Sequence, residues 1–206
     1  MKRVSIWIGL ILSLFIVGGI FVVGVIMDWE KKKMEKVLPW NQQEIGSVID
    51  EYKGVSVFEN GLNYTQSHGK NFNPDGYYYG YKWQCVEYVK RFYYDAKGHS
   101  MPNLYGNAKD FFNNTLSQGA FNKERGLYQY LNGGNVKPEP DDLLVFQTGL
   151  YGHVAIITKV DNDSIEIIQQ NIYAKPRETF KLEVRDGHYF LGDGKQPVGW
   201  LRKQTK

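Results

Sequence analysis

Apolar positions change their spacing along this chain, and each spacing predicts an element. Residues 4–27 carry no charge and are dominated by Ile, Val, Leu, Phe and Gly, about the length a helix needs to cross a bilayer core. No small-x-small cleavage pattern closes the run before Asp28-Trp29-Glu30, so an uncleaved transmembrane anchor over residues 1–27 is expected rather than a removed signal. Residues 28–40, charged and ended by Pro39-Trp40, read as a juxtamembrane linker, and one domain is expected over residues 41–206. Lys2 and Arg3 precede the run and Lys31, Lys32 and Lys33 follow it, so the positive-inside rule weighs on both sides. An anchor at the extreme N-terminus before a single domain behaves like an unprocessed export signal. The expectation is a single-pass protein of the cell membrane with its domain extracytoplasmic.

Within the domain, Ile45, Val48, Ile49 and Tyr52 fall at helical spacing and predict a first helix, followed by a strand over residues 55–58. Residues 59–80 have no period and read as loop. Val86, Val89, Phe92 and Tyr93 then give a helix that starts at Cys85, with Glu87, Lys90 and Arg91 on its other side. Residues 98–102 break it, a second helix is expected over residues 108–116, and residues 119–140 read as irregular. Residues 143–146, 153–160 and 164–169 are β-branched and aliphatic runs bounded by Gly, Asp and Asn, the pattern of an antiparallel meander. Residues 180–184, 189–191 and 198–201 extend it. The expected class is α+β, with helices packed on one side of an antiparallel sheet.

Composition narrows the chemistry. About 165 residues beyond the anchor make one ordinary domain. A single cysteine excludes an intrachain disulfide framework and a Cys-rich zinc site, and no two of the four histidines (68, 99, 153, 188) have metal-ligand spacing. No metal and no cofactor are expected. A net charge of +3, evenly spread, does not make a nucleic-acid groove. Fifteen tyrosines and five tryptophans suit peptide and sugar ligands. Nothing in the sequence sets the oligomeric state.

Cys85 is placed at a helix start, where the positive dipole end favours thiolate over thiol. The imidazole such a nucleophile needs is best supplied by His153, which opens a strand after the flexible loop Gly149-Leu150-Tyr151-Gly152. His68, His99 and His188 read as solvated loop histidines. A third group must accept the second imidazole N–H, and hairpin arithmetic offers two. A three-residue loop over residues 161–163 sets Asn171 opposite His153, and a five-residue loop over residues 159–163 sets Gln169 there. Both face the same side, Gln170 points away, and Glu166 is on the wrong face. Tyr77, Tyr78, Tyr79, Tyr81 and Trp83, just before the cysteine, are candidates for an aromatic wall.

The blocks Tyr79-Gly80-Tyr81-Lys82-Trp83-Gln84-Cys85-Val86-Glu87, Gly152-His153-Val154-Ala155-Ile156-Ile157-Thr158, Gln169-Gln170-Asn171 and Gly199-Trp200 resemble the CHAP family of cysteine- and histidine-dependent amidohydrolases and peptidases. Within that family the chain is most similar to the amidase module of bacterial glutathionylspermidine synthetase/amidase, over roughly residues 45–203. The resemblance implies a papain-like fold, Cys85 as nucleophile and His153 as general base. It sets Gln169 where the amidase module carries a glutamate, with Asn171 the alternative orienting residue. Gln84 is implied as an oxyanion donor together with the backbone N–H of Cys85. A neutral amide orients an imidazole but does not stabilise imidazolium by charge, so Gln169→Glu is expected to keep or raise turnover. The implied reaction is thioacyl transfer on a peptide or peptidoglycan amide if the domain faces outward. A glutathione–polyamine amide is implied if it faces the cytoplasm, and a catalytically silent wall-binding module is the reading from outside enzymology.

Overall fold

Two residues decide the first element. In the computed structural model, which describes residues 44–194 and 196–204, Lys53 and Gly54 both take positive φ, 51° and 78°. That conformation makes a two-residue hairpin turn, and it folds β1 (Val48–Tyr52) onto β2 (Val55–Phe58) with Tyr52 opposite Val55. The helical spacing of Ile45, Val48, Ile49 and Tyr52 therefore spans a turn at residues 45–46 and the strand Val48–Tyr52. The second expected helix shrinks to one 3-10 turn, Ala108–Phe111. Just beyond it the Asn113 side chain accepts the backbone N–H of Thr115 at 3.0 Å and its hydroxyl at 2.8 Å, a local competition that stops a helix from propagating.

A second hairpin, β3 (Lys70–Phe72) with β4 (Tyr78–Tyr81), lies in the stretch expected to be loop. It leads directly into α1 (Cys85–Lys97), the one α-helix among the described residues. The remaining strands are β5 (Ala120–Asn122), β6 (Leu127–Leu131), β7 (Leu143–Phe146), β8 (His153–Val160), β9 (Ser164–Ile168), β10 (Arg177–Arg185), β11 (His188–Leu191) and β12 (Gly199–Arg202). They form one eight-stranded sheet in the order β11-β10-β9-β8-β7-β12-β6-β5. The meander β7 to β11 runs as its sequence pattern predicts, and β12 returns to pair with both β7 and β6.

Both faces of this sheet are buried. On one, Tyr88, Val89, Phe92 and Tyr93 of α1 pack against Leu143, Val145, Val154, Ile156 and Leu201. On the other, Leu144, Phe146, Ala155 and Ile157 meet Phe180, Leu182, Leu191 and Trp200, which the sheet itself supplies. It does so by curling: Gly133 N–H donates to Tyr189 O at 2.7 Å and Tyr189 N–H to Gly134 O at 2.8 Å, joining the segment after β6 to β11. Burial on both sides explains why residues 154–157 are uniformly apolar rather than alternating.

Two expectations are corrected here. Among the described residues the class is mostly sheet with one α-helix, not helices layered on a sheet, because residues 45–46 turn into the hairpin strand Val48–Tyr52 and the stretch after Ala108–Phe111 is stopped by an asparagine. The single-pass membrane location is not upheld. Among the described residues no helix is long and apolar enough to cross a membrane, and residues 4–27 and the linker 28–40 lie outside the described residues.

Candidate active site

Cys85 is the first residue of α1, and the helix start is held from three sides. Gln84 sits at the N-cap with extended φ of −80° and ψ of 156°. Its carbonyl accepts the Gln170 side-chain N–H at 3.0 Å, and the same amide donates to Glu87 at 2.7 Å while accepting Phe58 N–H at 2.8 Å. Gln170 thus ties the end of β9 to β2 and to the first turn of α1. Glu87, fully buried, is satisfied by Arg91 at 2.6 Å and Asn71 at 2.8 Å. Its contacts make it an anchor of the helix start. Sequence reasoning set Gln170 aside as pointing away from His153. The same strand parity that turns it away from the imidazole turns it toward the helix.

His153 opens β8 and is buried. Gly152 before it has φ of 73°, and a Cβ there would stand 2.6 Å from Phe146 O and 2.7 Å from Lys109 N, so the loop approaches more closely than a side chain permits. The ring Nε2 lies 2.9 Å from Gln169 Oε1. The amide orientation follows from its other end, where Nε2 of Gln169 faces two acceptors, Lys175 O at 3.1 Å and Glu178 Oε2 at 3.3 Å. Gln169 therefore presents oxygen to the histidine, His153 carries its proton on Nε2, and Nδ1 is the basic nitrogen of the neutral ring.

Asn171, the alternative partner, lies elsewhere in the network. Its side chain donates to Tyr64 O at 2.8 Å and to Gln84 Oε1 at 2.7 Å, and accepts from Asn60 at 2.6 Å. Gln84 in turn donates to Gln66 O at 2.7 Å and Tyr64 O at 3.3 Å. The two amides lash the 60–66 loop to the start of α1.

Cys85, His153, Gln84 and Asn171 line one cleft of about 930 Å³. Its walls carry Tyr64, Tyr78, Tyr81, Tyr105, Tyr151 and Tyr173. Among the described residues no Asp, Glu, Lys or Arg lines it, so it offers a ligand aromatic faces and neutral polar groups. Of the expected aromatic wall, only Tyr78 and Tyr81 reach the cleft. Tyr77 stacks on Tyr94 at 4.8 Å, the buried Tyr79 donates to Asp95 at 2.7 Å, and Trp83 packs on Phe58 at 4.1 Å. Of the other wall tyrosines, Tyr151 lies in the loop just before His153, and Tyr64, Tyr105 and Tyr173 come from distant loops that no local pattern marks. His68, His99 and His188 are not in the cleft lining. His99 is half-buried rather than solvated, directed at Arg125 O at 2.8 Å.

Behind the wall, Lys90 is fully buried and donates to the carbonyls of Tyr78 and Leu104, the latter at 2.9 Å. Burial pushes its amine down to about 8. Among the described residues no group of His, Cys, Asp and Glu is arranged to hold a metal ion.

The family model for the CHAP domain matches residues 76–171. The chain is 29% identical over 147 residues to trypanothione synthetase of Crithidia fasciculata, covering 65% of this chain and 22% of that protein. It is 32% identical over 142 residues to bifunctional glutathionylspermidine synthetase/amidase of Escherichia coli (strain K12), covering 62% of this chain and 23% of that protein. The chain therefore spans less than a quarter of the length of these relatives. The matched domain and the amidase among the relatives support an amidohydrolase or peptidase. The helix start that bears Cys85 and the strand that bears His153 both fall inside the matched span, and residues 76–171 of this chain are a CHAP domain.

Proposed function

We propose that the domain hydrolyses an amide bond by acyl transfer through Cys85. The observation that carries this reading is the imidazole of His153, fixed by Gln169 at 2.9 Å in the tautomer that leaves Nδ1 basic, in the cleft that Cys85 also lines. His153 Nδ1 takes the thiol proton, and the Cys85 sulfur attacks the amide carbonyl to give a tetrahedral oxyanion. The first-turn N–H groups of α1 receive that charge. Gln84 joins them only by exchanging its 3.3 Å bond to Tyr64 O for one to the oxyanion. The imidazolium then protonates the departing amine, leaving a thioester on Cys85. Water attacks the thioester with His153 as base, releasing the acid and restoring the thiol.

The substrate we favour is a peptide amide, with cell-wall peptide as the leading candidate. A wide cleft walled by tyrosines and side-chain amides suits a peptide. The second reading, a glutathione–polyamine amide, is supported by the name of the glutathionylspermidine synthetase/amidase relative. Incubating the purified protein with peptidoglycan and, separately, with glutathionylspermidine tests both. New amino termini from the first support the wall reading, free spermidine from the second supports the other, and Cys85→Ala should abolish whichever appears. A folded protein that cleaves neither, with Cys85 no more reactive than in the unfolded chain, would return the domain to a silent binding module.

A further inference from the structure

We infer that Glu178 is a positioning residue for His153 that acts through Gln169, supplying one amide away the negative charge a directly bonded carboxylate would supply. This rests on Cys85 and His153 working as a pair.

The connection runs through one side chain with no freedom to turn. Gln169 is 1% exposed. Its backbone N–H donates to Pro176 O at 2.8 Å, and its amide nitrogen donates to Lys175 O at 3.1 Å and Glu178 Oε2 at 3.3 Å. Its oxygen therefore stays on His153 Nε2 at 2.9 Å. A carboxylate accepting from the N–H end of an amide polarises it and makes its carbonyl a stronger acceptor, more so away from water. The charge on Glu178 thus favours imidazolium over imidazole, and with it the thiolate over the thiol.

Neighbouring charges sharpen the assignment. Lys175 Nζ pairs with Glu178 Oε1 at 2.6 Å and subtracts from that field. Arg177, next to Glu178 on β10, is spent on Asp50 at 2.8 Å and Glu166 at 2.7 Å. The two lysine and glutamate charges should therefore move His153 in opposite senses, which a purely structural role for this loop would not do.

Cys85 is the only cysteine, so alkylation of the full chain by iodoacetamide reads this thiol alone. The rate is followed against pH in wild type, Glu178→Gln, Lys175→Met and His153→Ala, with unfolded wild type as control. Glu178→Gln should move the half-maximal rate upward by about half a pH unit or more, and Lys175→Met should move it downward. Folded variants with the wild-type midpoint, or with shifts of the same sign, overturn the role of Glu178. If Glu178→Gln does not fold, the direction of the Lys175→Met shift decides alone. Wild type that titrates like His153→Ala and the unfolded control overturns the Cys85–His153 pairing, and the inference with it.

Discussion

At Gln169, exchanging the amide nitrogen for oxygen would remove two hydrogen bonds and leave acceptor facing acceptor. Gln169→Glu would set a carboxylate oxygen against Lys175 O and Glu178 Oε2, which now accept from that nitrogen. The expectation that this change keeps or raises turnover is therefore revised to a loss of about 1–3 kcal/mol in stability and a lower rate. The double variant Gln169→Glu, Glu178→Gln moves the donor to position 178 and the charge to the histidine, and urea unfolding should show most of the loss restored, with turnover above the single variant. Cys85 and His153 were legible in the sequence, as was an amide on the histidine's face. Hairpin arithmetic alone left Gln169 and Asn171 open, and only the family resemblance favoured Gln169, the residue whose amide oxygen lies 2.9 Å from the ring. The hairpin turn is tighter than either loop considered, with Val160 opposite Ile165, and a bulge between Ile157 and Lys159 returns the register to Ile156 opposite Ile168. That register would extrapolate to Asn171, but Asn171 takes φ of 67° and leaves the strand. Gln169 reaches the ring diagonally instead.

Among the elements, α1 and the strands β7 to β12 could be read from period and punctuation, because their burial pattern is set by a single contact face or by uniform burial. Residues 45–52 could not, since their helical spacing coexists with a hairpin turn at Lys53-Gly54, where both residues take positive φ. Nor could β5 and β6, whose alternation is short and tyrosine-rich. The helix start is anchored by a buried ion pair, Glu87 with Arg91 at 2.6 Å, reinforced by Asn71 and Gln170. Removing one member of such a pair strands the other charge, so Glu87→Ala should cost about 3–5 kcal/mol by denaturant unfolding. An equally stable Glu87→Ala would mean that the anchor does not hold α1.

Over the whole described chain, two charge clusters bind the β1–β2 hairpin to the rest. Arg177 joins Asp50 of β1 to Glu166 of β9, and Asp141 receives Lys53 at 2.6 Å and Lys97 at 2.6 Å. Burial alone would raise the Asp50 carboxyl, but the Arg177 guanidinium and the Glu51 N–H hold it below its ordinary 3.8. Glu166 is held below 4.5 by the Thr158 hydroxyl and then by Arg177. Carboxyls lowered in the folded state add stability that is present above their unfolded values and is lost as pH falls through the folded ones. Unfolding free energy from these two groups should therefore hold down to about pH 5 and decline below about pH 4. The decline should be shallower in Arg177→Met, and identical slopes in the two proteins would show that Arg177 does not couple the hairpin to the sheet.

The central claim, that Cys85 is a nucleophile activated by His153, is tested most directly by the alkylation rate of this single thiol near neutral pH. The native full chain should react at least about tenfold faster than the unfolded chain, and His153→Ala should fall back to the unfolded rate. Equal rates in all three would contradict it.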